Sequence, residues 1–196
     1  MPALNQIALL INTALQNGRF APQRFNPSRF LGIADPMRRV EEDGKEITTP
    51  TIIDNDGEGT EVVMNDKYSA QCYHRVVTPT YLLPPDNAYG KAGRDMQEIA
   101  DCVMVFMGDR SQMKVTQVDC IAAVAYDFPK EFLPSQYSPL GLTSCVIEMG
   151  SVEKNPFDVF NTEWQGHDYA LETSSILFSI NYRVISTYAT CFAICP

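Results

Sequence analysis

Two histidines and six cysteines are the residues of this chain best suited to nucleophilic or metal chemistry. His74 sits within an alternating stretch and reads as mid-strand, whereas His167 falls in a turn ahead of the last strand. Cys72, Cys102, Cys120, Cys145, Cys191 and Cys195 are scattered, with no C-x-x-C pair among them. Zinc sites draw on closely spaced ligands such as C-x-x-C or H-x-x-x-H, and neither histidine has such a neighbour. Both are read as structural or exposed. Most of the thiols lie in apolar or alternating stretches, where free Cys behaves as a small hydrophobe. The expectation is therefore reduced thiols in a cytosolic product, not a disulfide framework. Cys191 and Cys195 share one face, yet four residues of extended chain is too far for a bridge.

Other chemical signatures are weak. The composition permits a Cys–His nucleophile pair, but no local motif supports one, and no G-x-S-x-G elbow, kinase signature or Walker loop occurs. Residues 89–94, Tyr-Gly-Lys-Ala-Gly-Arg, precede an expected helix and could cradle an anion with amide donors. They lack the preceding strand and the Lys-Ser/Thr ending of a nucleotide loop. The acidic cluster Asp54, Asp56, Glu58 and Glu61 suggests calcium, but an EF-hand loop needs Gly at its sixth position. Gly57 comes only three residues after Asp54, so these acids read as a hairpin tip. No catalytic residue, metal ligand or cofactor is assigned.

The elements that would position these residues follow from hydrophobic periodicity. Leu4, Ile7, Ala8, Ile11, Ala14 and Leu15 repeat at helical spacing over residues 3–16, and Asn17-Gly18 supplies a left-handed stop. The opposite face is polar but uncharged, which suits either contact with another protein or ordinary half-exposure. Residues 19–39 form a basic Pro/Phe-rich arm in which Arg-Phe recurs as Arg19-Phe20, Arg24-Phe25 and Arg29-Phe30, followed by Arg38 and Arg39. Its Phe residues would anchor it to the core. Its arginines would meet nucleic-acid phosphates, an acidic partner face, or only water. A β-branched hairpin is expected over residues 45–65, then a strand over 68–78 closed by Pro79. Residues 93–107 read as a second helix, with Met96, Ile99, Ala100, Val103, Met104 and Met107 on one face. Further strands are expected over 114–126 and 143–151, separated by a proline-rich crossing. Asn155-Pro156 reads as a helix or turn start carrying Phe157, Phe160 and Trp164.

Residues 174–195 close the chain with strict alternation, large apolar or aromatic side chains on one face and small or polar ones on the other. At roughly 3.3 Å per residue such a strand would span roughly 65 Å, against about 40 Å for a compact chain of this length. It must bend, split, or run into a neighbouring subunit. The whole of 1–196 reads as a single α+β domain: a mainly antiparallel sheet with a long hairpin and a long C-terminal strand, flanked by two helices. The formal net charge of −9 argues against a simple nucleic-acid binder and against attraction to anionic membranes. Neither a transmembrane run nor a secretory signal is evident in the sequence.

An N-terminal amphipathic helix, a long hairpin, a helix across the sheet and a long closing strand together resemble the tail-terminator or tail-completion proteins of tailed bacteriophages, and the related head–tail connector and neck ring proteins. The resemblance rests on element order, not on a short motif; residues 128–139 and 157–164 have no counterpart in it. It implies a non-enzymatic virion protein, assembled in the host cytoplasm into a homo-oligomeric ring, six- or twelvefold. The ring would contact portal, neck or tail proteins and let DNA pass through an acidic lumen without sequence-specific binding. Subunit or partner contacts would fall on Arg19, Arg24, Arg29, Phe20, Phe25, Phe30, Arg183, Tyr188 and Phe192, with Asp54, Asp56 and Glu58 at the hairpin tip. Two other classes stay open: a small cytosolic enzyme with a shallow site near His74 or residues 89–94, and a ligand-binding β-barrel lined by the last strand.

Overall fold

Helix α1 (Pro2–Gln16) buries Leu4, Ile7, Ala8, Ile11 and Leu15 as its periodicity requires. The computed structural model describes residues 2–19, 25–53, 58–62, 67–82, 94–154 and 175–190. Within these the fold is α+β and mainly antiparallel. Strands β1 (Ser28–Ile33), β5 (Ala70–Leu82), β6 (Arg94–Asp109), β7 (Leu142–Lys154) and β8 (Ser175–Thr190) form one sheet in the order β1-β5-β6-β8-β7. A smaller sheet has the order β2-β3-β4, from β2 (Asp35–Val40), β3 (Glu46–Ile53) and β4 (Gly59–Glu61). The short helix α2 (Arg110–Met113) leads into α3 (Gln117–Asp127); α4 (Pro134–Tyr137) and a 3-10 turn (Ser138–Leu140) then lead into β7.

The large sheet is a middle layer. One face, carrying Ala100, Cys102, Met104 and Phe106 from β6 and Ile176, Phe178, Ile180, Tyr182 and Val184 from β8, packs under α1 and α3. Phe106 and Phe178 stack there with ring centroids 4.7 Å apart, and Phe25 and Phe30 tilt onto Phe106. The small sheet covers part of the other face, enclosing Ala34, Val62, Tyr73, Val105, Met107 and Leu177. Among the described strands of this sheet β1 alone pairs parallel, and its far edge is met by helix α1. Asn5 Oδ1 accepts from the Ile33 N–H at 2.9 Å, and Asn12 Nδ2 donates to the Leu31 carbonyl at 2.7 Å. Part of the uncharged polar face of α1 thus touches this chain's own edge strand. A Cβ on Gly32 would collide with Asn5, so glycine permits the close approach.

Two expected elements exchange identities. Residues 94–109 are a strand, not a helix. β6 lies between β5 and β8, and around Val103–Met107 both its faces are covered, so the period-two signal is overwritten. What remains locally is a set of Met, Ala and Glu residues with helical propensity, which non-local pairing overrides. Conversely, much of 114–126 is helix α3, not strand. Thr116 caps it by accepting from the Asp119 N–H at 3.1 Å and donates to the Asp119 carboxylate at 2.8 Å. That Thr-x-x-Asp spacing is a helix-start signal which the β-branched Val115, Val118 and Ile121 obscure.

The final strand is also corrected. β8 runs unbroken from Ser175 to Thr190, paired with β6 along its whole length and with β7 on its other side. The bulges lie in β7, between Leu142 and Ser144 and between Met149 and Val152, not in β8. From Phe178 to Tyr188 β8 is therefore flanked on both sides, and that stretch has no free edge with which to extend a neighbour's sheet. Its length needs no neighbour, because β6 is equally long. β5 likewise does not stop at Pro79 but continues to Leu82. β1 covers β5 only from Ala70 to His74, so Pro79 sits on an open edge where its missing N–H removes no partner. The arm expected over 19–39 is largely β1 and β2. β2 and β3 make a hairpin through residues 41–45, antiparallel in register from Asp35↔Thr51 to Val40↔Glu46. The hairpin expected over 45–65 is present as β3–β4, with Thr51 opposite Glu61. Among the described strands the large sheet is open, with β1 and β7 at its ends.

Candidate functional site

His74 lies on the helix-covered face of β5, fully buried, with both ring nitrogens engaged. Nε2 is 2.9 Å from Asn12 Oδ1 and Nδ1 is 2.9 Å from Tyr182 Oη. Because Asn12 gives its amide hydrogen to Leu31, its Oδ1 is an acceptor, so His74 carries its proton on Nε2 and accepts the tyrosine hydroxyl on Nδ1. The Cys72 thiol adds a second donor to the same Asn12 oxygen at 3.4 Å. Burial pushes the His74 pKa down to about 3, the Cys102 thiol up to about 12, and both Cys72 and Tyr182 upward. The ring is neutral, enclosed and satisfied. It has the perturbation expected of an active-site base, but desolvation causes it, and the network spends its polar groups on one another. Its chemistry is that of a specified core.

A more open arrangement lies at one end of the same face. Glu98 of β6 is 3% exposed and points among the apolar side chains beneath the first turns of α1. Tyr188 of β8 donates its hydroxyl to Glu98 Oε2 at 2.6 Å, and Tyr81 of β5 hydrogen-bonds the same carboxylate. The charge of Glu98 raises the Tyr81 pKa; burial, then the Glu98 hydrogen bond, raises that of Tyr188. The three side chains border a cavity of about 440 Å³ whose remaining walls include Leu4, Met96, Pro139 and Leu140. Alternation explains the convergence: Glu98 stands opposite both Tyr81 and Ser186, and Tyr188 lies two residues further on the same face of β8.

The other face carries a shallow groove of about 450 Å³, bordered by Val77, Asp101, Glu148, Met149, Asn181 and Arg183. Arg183 Nε pairs with Asp101 Oδ1 at 2.8 Å across β6 and β8. Both side chains are half-exposed, so solvent screens the pair and it contributes little to stability. Asn181 bridges to Ser151 at 2.8 Å and Glu153 at 3.2 Å, tying β8 to the bulged part of β7.

The residues singled out from sequence are dispersed. Phe25 and Phe30 belong to the aromatic core, Arg29 lies on β1, and Arg19 donates its backbone N–H to Asp127. Arg38 and Arg39 are not a free basic patch: they pair with Glu46, Glu41 and Glu61 around the small sheet. Glu58 is exposed beside β4. Phe20, Arg24, Asp54, Asp56, His167 and Phe192 lie outside the described residues, as do 155–164 and all of 89–94 except the backbone of Arg94. Glu98 and Tyr81 were missed because 93–107 read as a helix with Glu98 on its solvent side; the acidic residue within an apolar stretch was their one local signal. The described cysteines are all buried and free. Among the described residues no group of three or more His, Cys, Asp or Glu is arranged to hold a metal ion, and no helix is long and apolar enough to cross a membrane. Comparison with protein-family models and with curated proteins found no match.

Proposed function

We propose that this chain is a structural subunit that assembles head to tail into a closed ring, as a tail-terminator or neck protein of a tailed phage would. The observation that carries this reading is the pair of unlike open edges at opposite ends of the large sheet. Beyond His74 the outer edge of β5 has no described strand against it. At the other end, β7 is bridged at Val146 by Glu131 and Ile147 bonds to Lys130, after which no described strand lies against its outer edge as far as Lys154. β5 and β7 run in opposite directions, so β7 of one subunit can pair antiparallel with β5 of the next. The two open segments lie at different heights, so the strands would be staggered and tilted to the ring axis. Exposed Val77 and Tyr81 near one edge and Val146 and Met149 near the other supply apolar contacts. Such a contact is heterologous, and closure leaves no edge unpaired. Of the elements on which the resemblance rests, α1, the β3–β4 hairpin and the long closing strand support the reading; the helix expected over 93–107 does not, since its described residues lie in strand β6.

Mass photometry or light scattering across the micromolar range tests the proposal. The expected species is a discrete multiple of the 21.9 kDa subunit. A strict monomer would sink it. Substituting Val77→Lys and Met149→Lys together should leave the circular dichroism spectrum intact while shifting the mass to the monomer; assembly equal to that of the parent would show that these edges are not the contact.

A further inference from the structure

We infer that the cavity at Glu98 is a binding site for a small organic ammonium ion, a protonated amine carrying an apolar group. Glu98 is a carboxylate almost wholly removed from water, and among the described residues no ion pair reaches it. A buried carboxylate is costly unless its oxygens are satisfied. The Tyr188 and Tyr81 hydroxyls supply two donors. A carboxylate offers about four lone-pair positions, so acceptor capacity remains beside the cavity of about 440 Å³. The walls match the other half of such a ligand. Leu4, Met96, Pro139 and Leu140 are apolar, and the two tyrosines that border the same space are of a type that attracts cations. An anion would meet the Glu98 charge. A neutral polar ligand would leave the charge unbalanced. The ammonium head at Glu98 and the apolar body against Leu140 and Met96 use both features. The inference rests on this geometry and not on assembly.

The experiment uses the full chain, carbon-13-labelled at its methionine methyls, titrated at neutral pH with benzylamine and in parallel with its neutral counterpart of the same shape, benzyl alcohol. Benzylamine should shift the Met96 methyl saturably with a dissociation constant near 1 mM, the range for a fragment of this size. Benzyl alcohol should bind about tenfold more weakly, the factor corresponding to one charge-assisted hydrogen bond. Glu98→Gln should abolish that preference; Tyr188→Phe, which keeps the ring and leaves the carboxylate, should retain it with weaker binding. Equal affinity for the two probes, or no shift of Met96 with either, overturns the inference using the unmodified protein alone.

Discussion

His74 is held neutral by enclosure, and that makes it a source of acid sensitivity. In the unfolded chain a histidine takes up its proton near pH 6.5. In the fold the corresponding value is down at about 3, because burial penalises the charged ring. Between these values the unfolded state binds the extra proton, so this contribution to stability is fully present above about pH 6.5 and declines as pH falls, by about 1.4 kcal/mol per unit. Tyr182, Cys72 and Asn12, which surround the ring, stay neutral through that window and do not offset it. Urea unfolding at pH 7 and pH 5 should therefore show a steeper loss for the parent than for His74→Gln, although the variant starts less stable at pH 7. Parallel slopes would remove His74 as the cause. The sequence places His74 on a strand and reads it as structural or exposed, with an enzyme site near it as an alternative. Its partners were invisible, because Asn12 and Tyr182 are far away in the chain.

At the scale of elements, the junction of α1 with β1 and the cap of α3 give sharp tests. Gly32 lies where helix and strand approach most closely, and a methyl group there would displace Asn5 from the Ile33 N–H. Gly32→Ala should cost about 1–3 kcal/mol, the usual range for overpacking, measured as a lower urea midpoint with unchanged slope. No measurable loss would mean that Asn5 moves aside freely. Thr116→Ala should cost about 1 kcal/mol by removing the acceptor for the Asp119 N–H. If 114–126 behaved as a strand instead, that substitution would remove no cap. Helix α1 was legible because its signal is local: one apolar stripe and a terminating Asn-Gly. The exchange between β6 and α3 arose where local preference and tertiary setting disagree. β6 carries helix-favouring residues in the centre of a sheet, and α3 carries β-branched residues under a good cap.

At the scale of the molecule, a misread strand and an apparently overlong one are paired with each other. Residues 174–195 read as too long for the domain and 93–107 as a helix; over its described part, Ser175–Thr190, the final strand is paired throughout by β6. With β6 and β8 paired over their whole length, the proposed site of assembly is β5 and β7. This sharpens the expected outcome for a C-terminal truncation. Among the described residues, deleting 189–196 removes the last β8 pairs, Ala189↔Asp95 and Thr190↔Arg94. The shortened chain should form the same oligomer as the parent by light scattering, whereas the paired lysine substitutions on β5 and β7 should not. Loss of assembly on truncation alone would return the contact to the C-terminus.

Local pattern alone establishes the mixed α+β class, helix α1, the β3–β4 hairpin and the alternation of the final strand. Each is a signal carried by neighbours in the chain: a stripe at helical period, β-branched residues about a Gly-containing turn, a period of two. The tertiary structure decided which strands flank β6, that the Phe25 and Phe30 rings fill the core, and that Arg38 and Arg39 are neutralised. It alone brought Glu98 to Tyr81 and Tyr188. Those contacts join residues tens of positions apart, and their stabilisation comes from burial and pairing that exist only after the sheet has formed. A carboxylate on an expected helix surface and the same carboxylate walled in by tyrosines have identical local sequence; only the partner strands distinguish them.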